Sequence, residues 1–314
     1  MQSFDELYTE IYNKNVKILD RKRRNTNRII AMSILAFFLL SFISMDFSDE
    51  AADNPAGIYL TICVFIALVI IAIIHLLDNI KYADSDTDES YLQVYKEKVI
   101  EPIIKSVLPN CTYSPFKGIS QEEYDSMGYD IKYTYFSSVD LIETDIDINT
   151  NNQIHLEVCS LFIGTNSKSE YDNDTPIPKF DGLIGHIHLN KFINSFVKIT
   201  TSNKIDEIDK VRMDSSEFEK YFNVESDNKI AAMQILTSDV MMDIIDIWNK
   251  TNVKFEIIIK EDKIYLRFFT GMLFSTKIFG SSLVKSRLKK YYDILQFVFN
   301  ISTKIYNAVD ETEV

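Results

Sequence analysis

The sequence predicts an α+β protein, in which an N-terminal two-helix transmembrane hairpin is followed by a mostly antiparallel-sheet cytoplasmic domain with a long C-terminal helix. Three observations predict it. Two apolar runs stand before residue 78, segments of period two alternate with helical segments after residue 110, and an apolar seam of alternating four-three spacing closes the chain.

The hairpin comes first. Residues 29–45 (IIAMSILAFFLLSFISM) carry no charge, and residues 58–77 (IYLTICVFIALVIIAIIHLL) are interrupted only by His75. At about 1.5 Å per residue both runs are long enough for a hydrocarbon core of about 30 Å, the first with some local thinning. A cleaved signal peptide is the wrong reading, because a long basic segment precedes the first run and a second run follows at once. Lys14, Lys17, Arg21, Lys22, Arg23, Arg24 and Arg28 precede the first span, whereas the connecting loop DFSDEAADNPAG has no Lys or Arg. That asymmetry sets the N-terminus inside, and two spans return the chain to the same side.

Residues 1–28 read as an amphipathic, basic cytoplasmic segment. Ser3 and Glu6 form a capping box, and Phe4, Leu7, Ile11, Ile18 and Leu19 recur at helical spacing, as in a helix lying at the membrane interface. The basic cluster either sets topology alone or also contacts anionic lipid. Residues 84–314 carry 25 Lys and Arg against 37 Asp and Glu, an acidic balance that excludes nonspecific nucleic-acid binding. Cys63, Cys111 and Cys159 form no CxxC pair and no even framework, so no disulfide is expected.

Residues 78–110 read as a linker and membrane-proximal helix: Asp84 to Glu89 is solvated, and Leu92, Tyr95, Val99, Ile103 and Val107 mark one helix face over 90–108. Residues 111–314 form the soluble α+β domain. Ile146, Ile148, Ile154, Leu156 and Val158 alternate with polar neighbours, giving two strands joined at Asn151 and Asn152. Further strands are expected at 180–189, 195–200 and 210–213, then a helical block over 214–250 opened by an Asp214 cap, then a second hairpin turning at Glu261 and Asp262. The last helix, 281–309, aligns Val284, Leu288, Tyr291, Leu295, Val298, Ile305 and Val309, broken at Ser302. Such a seam serves either as a coiled-coil contact in a homo-oligomer or, more ordinarily, as a helix lying on its own sheet.

Chemistry is sparse. His186 and His188 share a strand face, with His155 the only other histidine of the domain, and two imidazoles alone do not make a zinc site. DSDTDE and DIDIN resemble the start of a calcium loop, but Glu89 and Thr150 stand where its glycine belongs. No phosphate loop, nucleophile elbow or HExxH is present. No catalytic, cofactor-binding or metal-ligating residue is assigned, and no cofactor is expected. Phe274 and Phe279, in a loop between Gly271 and Gly280, are read either as a docking surface or as core insertions.

The stretch 211–245 (VRMDSSEFEKYFNVESDNKIAAMQILTSDVMMDII) resembles the bacterial membrane-protein family filed as domain of unknown function 3137, through Phe218 to Phe222, Val224 to Asp227, and Leu236 to Thr237. The resemblance extends to the hairpin, to YKEKVI at 95–100, to YSPFKGI at 113–119 and to the strand start at Phe180, and departs at Ala232 and Met233, where the family usually has Arg. It implies a bacterial inner-membrane protein without an assigned reaction.

The function expected is therefore a membrane-anchored cytoplasmic interaction or regulatory module. Its partners would be the lipid bilayer and a protein. A self-associating membrane effector and a membrane-associated enzyme are the alternatives.

Overall fold

The computed structural model describes residues 3–21, 91–129, 131–149, 152–165, 176–201, 210–275 and 283–312. The spans expected at 29–45 and 58–77 and the linker at 84–89 lie outside the described residues. Among the described residues no helix is long and apolar enough to cross a membrane. The chain divides into two compact units, one of Met1–Glu10, Lys96–Ser275 and Leu283–Val314, the other of Ile11–Tyr95 and Thr276–Ser282.

Helix α1 (residues 4–21) opens with the expected capping box: Glu6 N–H donates to Ser3 Oγ at 3.3 Å and Ser3 N–H to Glu6 Oε2 at 3.1 Å. Its first turns belong to the larger unit, where the Phe4 ring lies 5.4 Å from that of Tyr292, Tyr8 donates to the Leu283 carbonyl and Asp5 pairs with Lys285 at 3.0 Å. The apolar start of α1 thus packs on protein, where an interfacial helix was expected. In the smaller unit Ile11 and Leu19 are buried, Ile18 is exposed, and Tyr91 stacks on Tyr95 in α2 (Tyr91–Tyr95). A π-helical turn (Lys96–Ile100) and α3 (Glu101–Val107) continue it, so the helix expected over 90–108 is present.

Among the described residues the larger unit is built on an antiparallel sheet of seven strands: β1 (Thr112–Ser114), β2 (Tyr135–Asn149), β3 (Asn152–Thr165), β4 (Ile177–Thr200), β5 (Lys210–Val211), β6 (Asn223–Ser226) and β7 (Lys254–Phe269). Strands β2 and β3 form the first hairpin, closed by the pair Asn149 and Asn152, one residue earlier than expected. Both Asn151 and the side chains of Ile146 and Ile148 lie outside the described residues.

Strands β4 and β7 each double back. Arg267 Nη2 lies 2.7 Å from Glu256 Oε2 and the rings of Phe255 and Phe268 are 6.4 Å apart, whereas eleven residues of straight strand span about 36 Å. The reversal falls at Glu261, where φ is 57°, so the expected hairpin at Glu261 and Asp262 is present. Around it β4 makes a wider bend: Leu183 to His188 pair with Phe268 to Lys263, and Val197 to Thr200 pair with Ile259 to Glu256. The two arms of β4 are the strands expected at 180–189 and 195–200. Strand β3 lies on the outer edge of the first arm and β6 on that of the second.

The expected helical block over 214–250 is broken into α5 (Ser216–Glu219), β6, α6 (Lys229–Ile235) and α7 (Ser238–Asn249). The cap is Ser215, which accepts from Phe218 N–H, and not Asp214. Local polar groups make the breaks: Asn228 accepts from Ile230 and Ala231, and Thr237 from Val240, each starting a new helix. Met213 stays outside β5, its N–H bonded to Glu219 Oε1.

One face of the sheet packs on α8 (Lys285–Asp310), whose Phe297 meets the rings of Phe255 and Phe268 at 6.2 and 5.6 Å. Leu288, Tyr291, Leu295, Val298, Ile305 and Val309 are all buried, while Val284 is exposed. The seam is thus used inside the chain, and Ser302 is tolerated in it because its hydroxyl donates to the Val298 carbonyl. Phe274 is 1% exposed and packs edge-on to Tyr291, a core insertion; Phe279 lies outside the described residues. The opposite face is covered by α4 (Gln121–Ser126) and the residues after it, with Ile119, Tyr124, Met127 and Tyr129 against Cys159, Leu161, Ile163, Phe180, Ile184, Ile258 and Tyr265.

Candidate functional site

Beyond the edge of this α4-covered core the same sheet face turns polar. Register sets a row across it: Glu143 on β2 stands opposite Glu157 on β3, Glu157 opposite His186 on β4, and His186 opposite Tyr265 on β7. Two residues along, Asp145 faces His155, and His188 faces Lys263. Period two keeps these side chains on one face. The rings of His186 and His188 lie 5.0 Å apart, as their shared strand face predicts.

Strand β3 lies very close to β4 here. A Cβ on Gly185 would lie 2.1 Å from the Glu157 carbonyl oxygen, so only glycine permits this approach. Glu123 reaches the row from α4, where Ser120 Oγ accepts its N–H at 3.1 Å. That N-cap starts the helix that carries Glu123 above the sheet, with Oε1 3.7 Å from His186 Nδ1.

Glu157 divides its two oxygens. Oε1 lies 3.1 Å from His155 Nε2, while Oε2 lies 4.0 Å from His186 Nε2. His155 is held on its other side by Asp145, Nδ1 to Oδ1 2.8 Å. The result is a chain Asp145–His155–Glu157 leading to His186 and Glu123. His186 is 5% exposed and its Nδ1 has no hydrogen-bond partner.

The environments differ in sign. Burial pushes His186 down to about 4, against the pull of Glu157, so its imidazole is neutral at pH 7. The hydrogen bond to Asp145 raises His155 above the ordinary histidine value. Burial, and then repulsion from Glu157, raises Glu123, while Lys263 partly offsets this.

Two groups here offer one ligand atom per residue within 4.8 Å: Glu123, Glu157 and His186, and Glu143, His155 and Glu157. Glu157 belongs to both. The histidines were legible in the sequence; Glu157 and Glu123 were not singled out in so acidic a chain, although the S-x-x-E spacing of Ser120 and Glu123 marks a helix start. Elsewhere, an open cleft of about 420 Å³ includes Asp243, Asp246, Thr303 and Lys304, and Lys304 pairs with Asp243. Among the described residues Cys111 and Cys159 are free, and burial pushes the Cys159 thiol up to about 11, so it is inert.

Fold and site together define an α+β domain on a doubled-back antiparallel sheet with a histidine–carboxylate strip on one face. Residues 178–306, from β4 into α8, match the family described as Protein of unknown function (DUF3137). Of the strip, His186, His188, Lys263 and Tyr265 fall inside the matched residues. No curated protein matches the chain. Among solved structures, the crystal structure of the mycobacterial trehalose monomycolate transport factor A, TtfA, is similar with a TM-score of 0.34 and 9% identity, over 66% of this chain and 95% of that one. A likeness at that level establishes neither topology nor function.

Proposed function

We propose that the chain is a membrane-anchored interaction or regulatory module of a bacterial inner membrane, with spans at 29–45 and 58–77 and the α+β domain on the cytoplasmic side. The observation that carries this reading is that Met1–Glu10, before the apolar segment, and the residues from Lys96 on, after it, belong to one compact unit. On the N-terminal flank Phe4 packs on Tyr292 and Asp5 pairs with Lys285. On the C-terminal flank the buried Lys96 pairs with Asp140. A hairpin returns the chain to the side it left, and that return is what a single domain built from both flanks requires.

Ile230 and Met233 on α6 and Met242 on α7 are exposed, and supply apolar contacts for a protein partner. The test is affinity purification of the full chain from its native membrane beside an Ile230→Asp/Met242→Asp variant. A stoichiometric partner lost in the variant supports the module. Recovery of the chain alone, from both, contradicts it and favours the self-associating effector.

A further inference from the structure

We propose that Glu123, Glu157 and His186 form a binding site for a divalent transition-metal cation of the zinc class, with His155 and Asp145 holding Glu157 in place. Each of the three residues offers one ligand atom within 4.8 Å of the others; Glu123 stands nearest Nδ1 of His186 and Glu157 nearest Nε2, so an ion held on Nδ1 draws the Glu157 carboxylate across the ring edge. In a tetrahedral zinc site, ligand bonds of about 2.1 Å put ligand atoms about 3.4 Å from one another. His186 Nδ1 and Glu123 Oε1 are 3.7 Å apart, beyond hydrogen-bonding reach and close to that edge length.

His186 provides an independent second observation. It is buried to nine-tenths and more, its Nδ1 has no partner, and that atom points at the Glu123 carboxylate. An orphaned buried ring nitrogen has given up its hydration without a partner in return, a loss that an ion bound there would offset. Two carboxylates and one imidazole suit zinc, manganese or iron better than calcium, which takes oxygen alone. The side chains of Glu123 and Glu157 are 36% and 24% exposed, which leaves a solvent route and room for water as a further ligand.

The outer partners match those of metal sites. Glu157 keeps Oε2 free on the Nε2 side of the His186 ring because Oε1 is held by His155, itself held by Asp145. Lys263 is the competing cation: it faces the same carboxylate and imidazole and partly neutralises the site when no ion is bound.

The experiment uses the full chain in detergent, free of any histidine tag, stripped with a chelator and titrated calorimetrically with Zn²⁺. One saturable site per chain is expected. It should weaken more than about a hundredfold in Glu123→Gln and in His186→Asn, about tenfold in Asp145→Asn, and not in Glu143→Gln. Glu123 is partly exposed on a short helix, so its variant is expected to keep the fold even where His186→Asn does not. Co²⁺ in place of Zn²⁺ should give a visible absorption band lost in the same variants. Absence of saturable binding by the folded chain overturns the proposal. So does binding that Glu123→Gln leaves intact, or that Glu143→Gln abolishes, since either outcome puts the ion elsewhere.

Discussion

Glu157 and His186 stand opposite each other on β3 and β4, with Oε2 4.0 Å from Nε2, yet the imidazole is neutral because burial outweighs the carboxylate. A charged histidine in that place would gain the attraction of Glu157 and lose its hydration. The balance ties stability to pH.

His186 is held below its ordinary value, so the unfolded chain takes up a proton there before the folded chain does. Its contribution is full above about pH 6.5 and is lost as pH falls toward about 4, amounting to about 3 kcal/mol. His155 is raised and works in the opposite sense, adding stability at low pH. Thermal unfolding of wild type and His186→Leu at pH 7 and pH 4.5 separates the two. The wild type should lose more stability than the variant over that interval; parallel losses would contradict the buried neutral imidazole.

Lys96 and Asp140 form a buried ion pair, with Tyr113 also donating to Asp140, whose φ is 62°. Lys96→Met leaves a buried carboxylate without its countercharge and should cost about 3 kcal/mol in chemical unfolding. Adding Asp140→Asn should recover part of that loss.

Gly185→Ala puts a methyl group against the Glu157 carbonyl, a backbone atom that cannot swing aside. A loss of about 2 kcal/mol is expected, with β3 displaced from β4. Hydrogen exchange should quicken at Glu157 and Val158 before it does at β7.

Phe4→Ala removes the ring packed on Tyr292 and should destabilise the larger unit by about 3 kcal/mol. Fluorescence of Trp248, the only tryptophan, reports the transition. An unchanged midpoint would mean that the N-terminal flank is not part of the domain.

Much of the sheet was legible because its signals are local. Period two in 139–160, the arms 180–189 and 195–200 and the reversal at Glu261 each follow from alternation and turn residues. The block 214–250 misled because helical spacing continues across Asn223–Ser226, while the breaks depend on single caps at Asn228 and Thr237. The start of α1 was assigned to lipid because amphipathicity does not reveal what covers an apolar face. The site was half-legible: His186 and His188 share a face by period alone, but register brings Glu157, and a separate helix brings Glu123.

The central claim is that both flanks of the apolar segment lie on one side of a bacterial inner membrane, in one domain. Side-specific labelling tests it most directly, in a chain with Cys63, Cys111 and Cys159 changed to Ser and a single thiol introduced by Ser48→Cys or Glu311→Cys. With an impermeant maleimide, inside-out vesicles should label Glu311→Cys and spare Ser48→Cys, and intact spheroplasts the reverse. Labelling of both positions from the same side would contradict the account.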